Sequence, residues 1–341
     1  MKIPISILTG FLGSGKTTLL KKILTNKVEK KIAVIINEFG EISLDHALLE
    51  SGGTDIIPMP NGCVCCKVSS DLIGVLQNLH ERKEDKSISY DQVVIETSGL
   101  ADPAPLLHLL LNDSFTQSFF TIKEVITMVD STFIQETIEI YPEVKKQIIF
   151  ADKILISKTD ISNNEVSEIE LLIKKFNTLA SISTTRELDK GLDFLDSKEK
   201  QITQGENTEI SDAVPYTNRN GGNLTHNHDH SENISSAIYL LDKTISIETL
   251  TLFLQGIKIF YGQDLMRAKG IIYVDEFPDT PLAVNVVHHV IYPYEFITSP
   301  DVAIHNRLVV IGKNIRHKSL VALFECISEE VELTKREIST A

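Results

Sequence analysis

Short apolar runs that stop abruptly at polar residues recur along the first half of the chain. Ile3 to Thr9 ends at Gly10, and Lys31 to Asn37 (KIAVIIN) is the second such run. Gln92 to Glu96 (QVVIE), Val125 to Val129 and Ile154 to Ser157 follow. Runs of this length without alternation read as strands buried on both faces. Between them the period changes. Val68 to Arg82 places Leu72, Val75, Leu76 and Leu79 at helical spacing, and a helix is also predicted from Lys16 to Thr25. Strands alternating with helices predict βαβ units, hence an α/β fold with a mostly parallel sheet and helices on both faces. In such sheets ligands bind beyond the carboxyl ends of the strands. The residues that end each run are therefore the candidates for chemistry.

The pattern is lost between Asp196 and Asn233, where polar residues dominate and His226, His228 and His230 crowd together. That stretch has too little apolar surface to offset the entropy of ordering it. Periodic runs resume from Ile234, as SAIYLL, ETLTLFLQ, GIIYV, AVNVVHHV and RLVVIG. The predicted organisation is an α/β domain over 1–195, a polar His-containing linker over 196–233, a smaller C-terminal α+β domain over 234–331 and a tail over 332–341. A length of 341 residues agrees with two domains, since one core rarely grows past roughly 250–300 residues. Apolar residues at 42% and charged residues at 23% are ordinary for a globular protein.

Charge and cysteines narrow the function classes. Lys plus Arg is 33 against 47 Asp plus Glu, a formal charge of −14, so a broad nucleic-acid footprint is not expected. No run of about 18 apolar residues exists, so no membrane span is predicted. The opening MKIPISILTGFLG superficially resembles a secretory leader but lacks a basic region beyond Lys2 and an A-x-A site. Three of the four cysteines fall in Cys63-Val64-Cys65-Cys66, too close together to staple a fold, which points to a reducing cytoplasm.

Gly10-Phe11-Leu12-Gly13-Ser14-Gly15-Lys16-Thr17 fits G-x-x-x-x-G-K-[ST], with a strand before it and a helix after. Glycines let backbone N–H groups turn toward phosphate oxygens, and the helix N-terminus adds partial positive charge. Lys16 would reach the β- and γ-phosphates and Thr17 would ligate Mg²⁺. Glu96 ends a strand and is followed by Thr97-Ser98-Gly99. It would hold a water on Mg²⁺, and the Gly99 N–H would read the γ-phosphate. Ser157-Lys158-Thr159-Asp160 is similar to the N-K-x-D guanine element. A carboxylate at Asp160 can accept from both guanine donors, and with adenine it would be left unpaired. Lys158 would lie along the base. Ser157 departs from the pattern, which has Asn there. The expected ligands are GTP and Mg²⁺.

Cys63, Cys65 and Cys66 are soft ligands suited to Zn²⁺ and related metals. In an extended segment Cys63 and Cys65 share a side, and Cys66 joins them only if the chain bends. Open coordination of this kind suits transfer of a metal. A redox pair, buried inert cysteines and a static structural zinc site are the rival readings. Glu38 and Glu41, in Asn37-Glu38-Phe39-Gly40-Glu41, are candidate oxygen ligands in a loop of the kind that senses nucleotide. The three linker histidines suit transient metal capture or are incidental. His288 and His289 read as structural, and Cys326 in LVALFECI is expected in the core.

Taken in order, GFLGSGKTT, NEFGE, GCVCC, ETSGLADP and SKTD resemble the CobW family of metal-related P-loop GTPases over residues 3–195. YGQDLMRAKGIIYV and LVVIGKNI resemble that family's C-terminal domain less specifically. The resemblance implies a P-loop NTPase fold and a low-turnover GTPase acting as a metallochaperone for zinc, cobalt or a related ion. It places Gly13, Gly15, Lys16, Thr17 and Thr18 on the phosphates and Mg²⁺, and Lys158 and Asp160 on guanine; Gly10 and Ser14 complete the expected nucleotide contacts of the loop. Cys63, Cys65, Cys66 and Glu38 fall on the transition metal. It implies a client metalloprotein as partner and leaves a homodimer open. A regulatory GTPase whose cysteines sense metal, and a small-molecule kinase on the same loop, are the competing functions.

Overall fold

The computed structural model describes residues 2–25, 31–36, 56–58, 68–188, 234–241, 243–297 and 306–340. The chain divides into two units, Met1–Glu199 and Lys200–Ala341. The first contains the strands β1 (Ile3–Gly10), β2 (Ile32–Ile36), β3 (Ile56–Pro58), β4 (Gln92–Glu96), β5 (Phe120–Asp130), β6 (Lys153–Ser157) and β7 (Ser181–Thr184). They pair in the order β3-β2-β4-β1-β5-β6-β7, every pair parallel. The helices are α1 (Lys16–Thr25), α2 (Val68–Glu84), α3 (Pro103–Asn112), α4 (Ser114–Phe119), α5 (Ile134–Ile140), α6 (Pro142–Ile149), α7 (Val166–Lys174) and α8 (Thr185–Leu188).

Both faces of this sheet are covered, which is why β2 and β4 are apolar without alternation. On one face Leu19, Leu20 and Ile23 of α1 meet Leu8, Val34, Val94 and Met128. On the other, Ile134 and Ile138 of α5, Val144 and Ile148 of α6 and Ile169 and Ile173 of α7 meet Val129, Ile154 and Ile156. The register aligns the carboxyl ends along one edge: Leu8 pairs with Glu96, Gly10 with Met128, Ile36 with both Glu96 and Pro58, and Asp130 with Ser157.

The second unit is an antiparallel sheet, with β8 (Ile234–Leu241), β9 (Leu265–Val274), β10 (Phe277–Val287), β11 (Val290–Ile291), β12 (Glu295–Phe296) and β13 (Asn306–Lys313). Its order is β11-β10-β9-β13-β8, with β12 on β10. Two helices, α9 (Ile247–Tyr261) and α10 (His317–Thr340), place Leu250, Phe253, Leu254, Leu320 and Phe324 against Ala237, Ala268, Val284 and Leu308. Gly256 is where α9 and α10 touch, since a Cβ there would lie 2.9 Å from Ile327 Cδ1.

Several expectations change. β5 begins at Phe120, five residues before the apolar run, because Lys123 and Glu124 interrupt the pattern. Glu124 is half-buried, and that burial pushes its carboxyl up despite the opposing pull of Lys153 and Lys123. α10 runs on through 332–340, residues that read as a tail. Cys326 is exposed, not in the core. Leu320, Phe324 and Ile327 take the inward positions of the helix, which turns Cys326 outward. His288 leaves the strand pattern for the turn between β10 and β11, with φ +48° and its Nδ1 2.9 Å from the Leu265 carbonyl. Among the described residues, no helix is long and apolar enough to cross a membrane.

Candidate functional site

The first unit's site is built where β1 hands over to α1. Gly10, Gly13 and Gly15 have φ of +139°, +72° and +98°, values that L side chains rarely adopt. At Gly10 space is also decisive, since a Cβ would lie 2.4 Å from the Met128 carbonyl oxygen. The loop closes on itself through the Ser14 N–H to the Phe11 carbonyl at 3.2 Å. Lys16 is buried, and its ammonium donates to the Gly10 carbonyl at 2.7 Å and the Phe11 carbonyl at 3.2 Å. The Ser14 hydroxyl is buried without a hydrogen-bond partner. Thr18 is exposed on the first turn of α1.

The strand ends bring further groups to this loop. Thr17 Oγ1 donates to Glu96 Oε1 at 3.0 Å, and Glu96 is buried. A hydroxyl beside a buried carboxylate is a hard-oxygen donor set, the kind Mg²⁺ takes, with its remaining positions left to water and phosphate. Thr97 and Thr9 bond through their hydroxyls at 2.8 Å, tying the ends of β4 and β1 together. Gly99 follows, so close to the phosphate loop that a Cβ would lie 2.7 Å from Leu12 N and 2.6 Å from Leu12 Cδ2. Glycine at this position is required by close approach and not by backbone angle.

The third contribution comes from β5 and β6. Ser157 Oγ donates to the Ser14 carbonyl at 2.7 Å and lies 3.2 Å from the Val129 carbonyl. The Ser157 to Asp160 segment is thus joined to the phosphate loop by the residue that departs from the Asn pattern. Lys158, at φ +59°, places its ammonium 2.7 Å from Asp130 Oδ2. Asp130 Oδ1 accepts from the Thr132 N–H at 2.9 Å, which fixes the carboxylate. Asp160 is exposed one turn further on.

Sequence reasoning missed Asp130 and Gln147. Gln147 of α6 is buried, and its Nε2 donates to the carbonyls of Gly99 at 3.1 Å and Ala101 at 3.0 Å. The signal available was a lone amide on a helix face otherwise occupied by Val144 and Ile148. A polar group there stays only if it is hydrogen-bonded. A cavity of about 130 Å³ opens beside it, lined by Phe11, Leu12, Met128, Phe133, Val144 and Gln147 among others.

Cys63, Cys65, Cys66, Glu38, Glu41 and the linker histidines lie outside the described residues. Among the described residues, no group of three or more His, Cys, Asp or Glu side chains is placed to hold a metal ion. The strands that lead toward two of these segments are described. β2 ends at Ile36, just before Glu38 in the chain, and β3 ends at Pro58, before Cys63.

Comparison with known proteins gives a consistent picture. Residues 4–184 match the CobW/HypB/UreG nucleotide-binding domain, and residues 234–327 match the cobalamin synthesis protein CobW C-terminal domain. The zinc chaperone YjiA of Escherichia coli (strain K12) is 30% identical over 325 residues, 94% of this chain and 98% of that protein. The zinc-regulated GTPase metalloprotein activator 1 of Schizosaccharomyces pombe is 30% identical over 353 residues, 93% of this chain and 84% of that one. The crystal structure of Zn(II)-bound YjiA GTPase from E. coli has the same fold, with a TM-score of 0.65 at 26% identity over 96% of this chain and 99% of that chain.

Proposed function

The chain belongs to the CobW/HypB/UreG family of P-loop GTPases, and from that premise we propose that it is a metallochaperone that couples GTP hydrolysis to delivery of a transition metal. The metal is captured by Cys63, Cys65 and Cys66, with Glu38 as an oxygen ligand, and passed to a client metalloprotein. Zinc is the first candidate because one of these relatives is named a zinc chaperone and the other a zinc-regulated GTPase metalloprotein activator, and cobalt shares its ligand chemistry.

The observation that carries this reading is the strand order β3-β2-β4-β1. The cysteines follow β3 in the chain, Glu38 follows β2, Glu96 ends β4 and the phosphate loop follows β1. The chain segments that carry the proposed metal and nucleotide groups therefore leave the sheet from neighbouring strands. The three inter-strand steps span about 14 Å at roughly 4.8 Å each, a gap that loops can bridge.

Each residue then has a task. Glycine-loop N–H groups and Lys16 bind the β- and γ-phosphates, and the Gly99 N–H meets the γ-phosphate. Thr17, and Glu96 through a water, would hold Mg²⁺, which when bound neutralises charge developing on the phosphate oxygens. Asp160 accepts from guanine, and Lys158, its ammonium held by Asp130, presents its aliphatic stem to the base. Loss of the γ-phosphate releases the loops it ordered and loosens the thiolate site.

Two measurements test the reading. GTP should release phosphate to water with no phosphorylated acceptor, and ATP should do so far more slowly. Equal turnover of the two would remove the base assignment. Co²⁺ should give sulfur-to-metal charge-transfer absorption that Cys65→Ala weakens, since one of three thiolates is lost. Absorption unchanged in that variant would remove the thiolate site.

A further inference from the structure

Between β4 and α3, residues Ser98 to Ala101 form a turn closed by the Ala101 N–H to the Ser98 carbonyl at 3.0 Å. Both flanks of this turn are held. Upstream, the Thr97 N–H donates to the Leu8 carbonyl of β1 at 2.9 Å, and the Thr97 hydroxyl meets Thr9. Downstream, the single amide of Gln147 donates one hydrogen to Gly99 and one to Ala101. Gln147 is itself anchored, because its backbone carbonyl accepts from Thr127 Oγ1 of β5 at 2.6 Å. The neighbouring pair, Lys146 with Asp102 at 2.8 Å, extends the grip toward α3. That pair is partly exposed and screened, so it adds little. The buried amide does the holding, in surroundings where each of its hydrogen bonds is undiluted by water. The result is a turn seated against Leu12 of the phosphate loop, with no room for even a methyl group between them.

We propose that Gln147 is a positioning residue for triphosphate recognition. Its amide preorganises the turn so that the Gly99 N–H meets a γ-phosphate without first having to be ordered. Gln147 touches no nucleotide and acts only through Gly99, so the inference rests on the reading of Gly99 as the γ-phosphate contact. A diphosphate does not reach Gly99. Loss of the amide therefore penalises GTP and spares GDP, a difference that a purely structural role in the core would not produce.

The test uses the full-length protein and two probes, a non-hydrolysable GTP analogue and GDP, titrated against wild type, Gln147→Met and Gln147→Glu. Methionine keeps the length and loses both donors. Glutamate keeps the shape and turns an acceptor toward two carbonyls. Loss of two neutral hydrogen bonds predicts a fall of about tenfold in affinity for the GTP analogue, with GDP within about twofold of wild type. GDP binding in the same titration reports that a variant is folded, and the near-isosteric glutamate decides the matter if the methionine variant does not fold. Equal losses for the two nucleotides, or no loss for either, would overturn the role of Gln147. A wild type that binds GTP analogue and GDP equally would overturn the Gly99 reading and this inference with it.

Discussion

At Ser157 one hydrogen is offered to two buried carbonyls. The Ser14 carbonyl at 2.7 Å takes the stronger share and the Val129 carbonyl at 3.2 Å the weaker. An Asn side chain carries two hydrogens, so this chain joins the end of β6 to its phosphate loop with a smaller donor. Ser157→Ala leaves the Ser14 carbonyl without that donor and should cost about 1–3 kcal/mol. It should lower the melting temperature by a few degrees and, if Lys158 and Asp160 hold the base as proposed, weaken GTP and GDP alike, because both nucleotides would use the phosphate loop and that segment. An unchanged melt with unchanged nucleotide affinity would show that the contact contributes nothing. Gly99→Ala should behave differently. A methyl group 2.7 Å from Leu12 N meets backbone and cannot be absorbed by a rotamer change. Displacing the turn costs about 1–3 kcal/mol, charged mainly to triphosphate binding. Isothermal titration should show GTP-analogue affinity falling by tenfold or more while GDP affinity holds, and equal loss for both would count against Gly99 as the γ-phosphate contact.

Elements were legible in the sequence where burial is complete. β1, β2, β4 and β6 are predominantly apolar runs, and their observed ends lie within a residue of the predicted ones. The first five residues of β5 were hidden because Lys123 and Glu124 enter a strand position usually given to apolar groups. β3 was hidden by its length, since Ile56–Pro58 is too short to show a period. The candidate site divides in the same way. Gly10 to Thr17, Glu96, Gly99 and Lys158 to Asp160 stand out because each position demands one residue type within a short spacing. Gln147 and Asp130 do not, because Gln147 serves backbone carbonyls 46 and 48 residues away and Asp130 serves an ammonium 28 away. One junction between elements gives a pH signature. Tyr90 lies between α2 and β4 with Lys83 over its ring at 4.6 Å, and burial pushes its phenol up to about 12. The fold favours the neutral phenol, whose unfolded pKa is near 10. Its stabilising contribution is complete below pH 10 and is lost as pH rises through about 12. Tyr90→Phe should melt like wild type at pH 8 and fall less steeply between pH 10 and 12. Parallel loss in the two proteins would mean that Tyr90 does not titrate abnormally.

On the scale of the whole molecule, the proposed function requires reciprocity between nucleotide and metal. If ordering of the loops after β1, β2 and β4 by GTP tightens the thiolate site, then metal must tighten GTP by the same factor. Couplings of this sort are commonly about 1–3 kcal/mol, or roughly 5–150-fold. Zn²⁺ affinity should therefore rank with GTP analogue above GDP and above no nucleotide, and GTP-analogue affinity should rise on adding Zn²⁺ by a matching ratio. If Cys63, Cys65 and Cys66 take the metal as proposed, capture must displace their protons, so Zn²⁺ affinity should also climb with pH toward the thiol range. Cys65→Ala separates the two halves of the cycle. Without metal it should bind GTP analogue like wild type, because the phosphate loop, Glu96 and the base element are untouched. With Zn²⁺ present it should lose the enhancement. A variant that binds GTP poorly even without metal would place Cys65 in the nucleotide site. Identical Zn²⁺ affinities in all three nucleotide states would leave a GTPase and a metal site that share a chain but not a cycle.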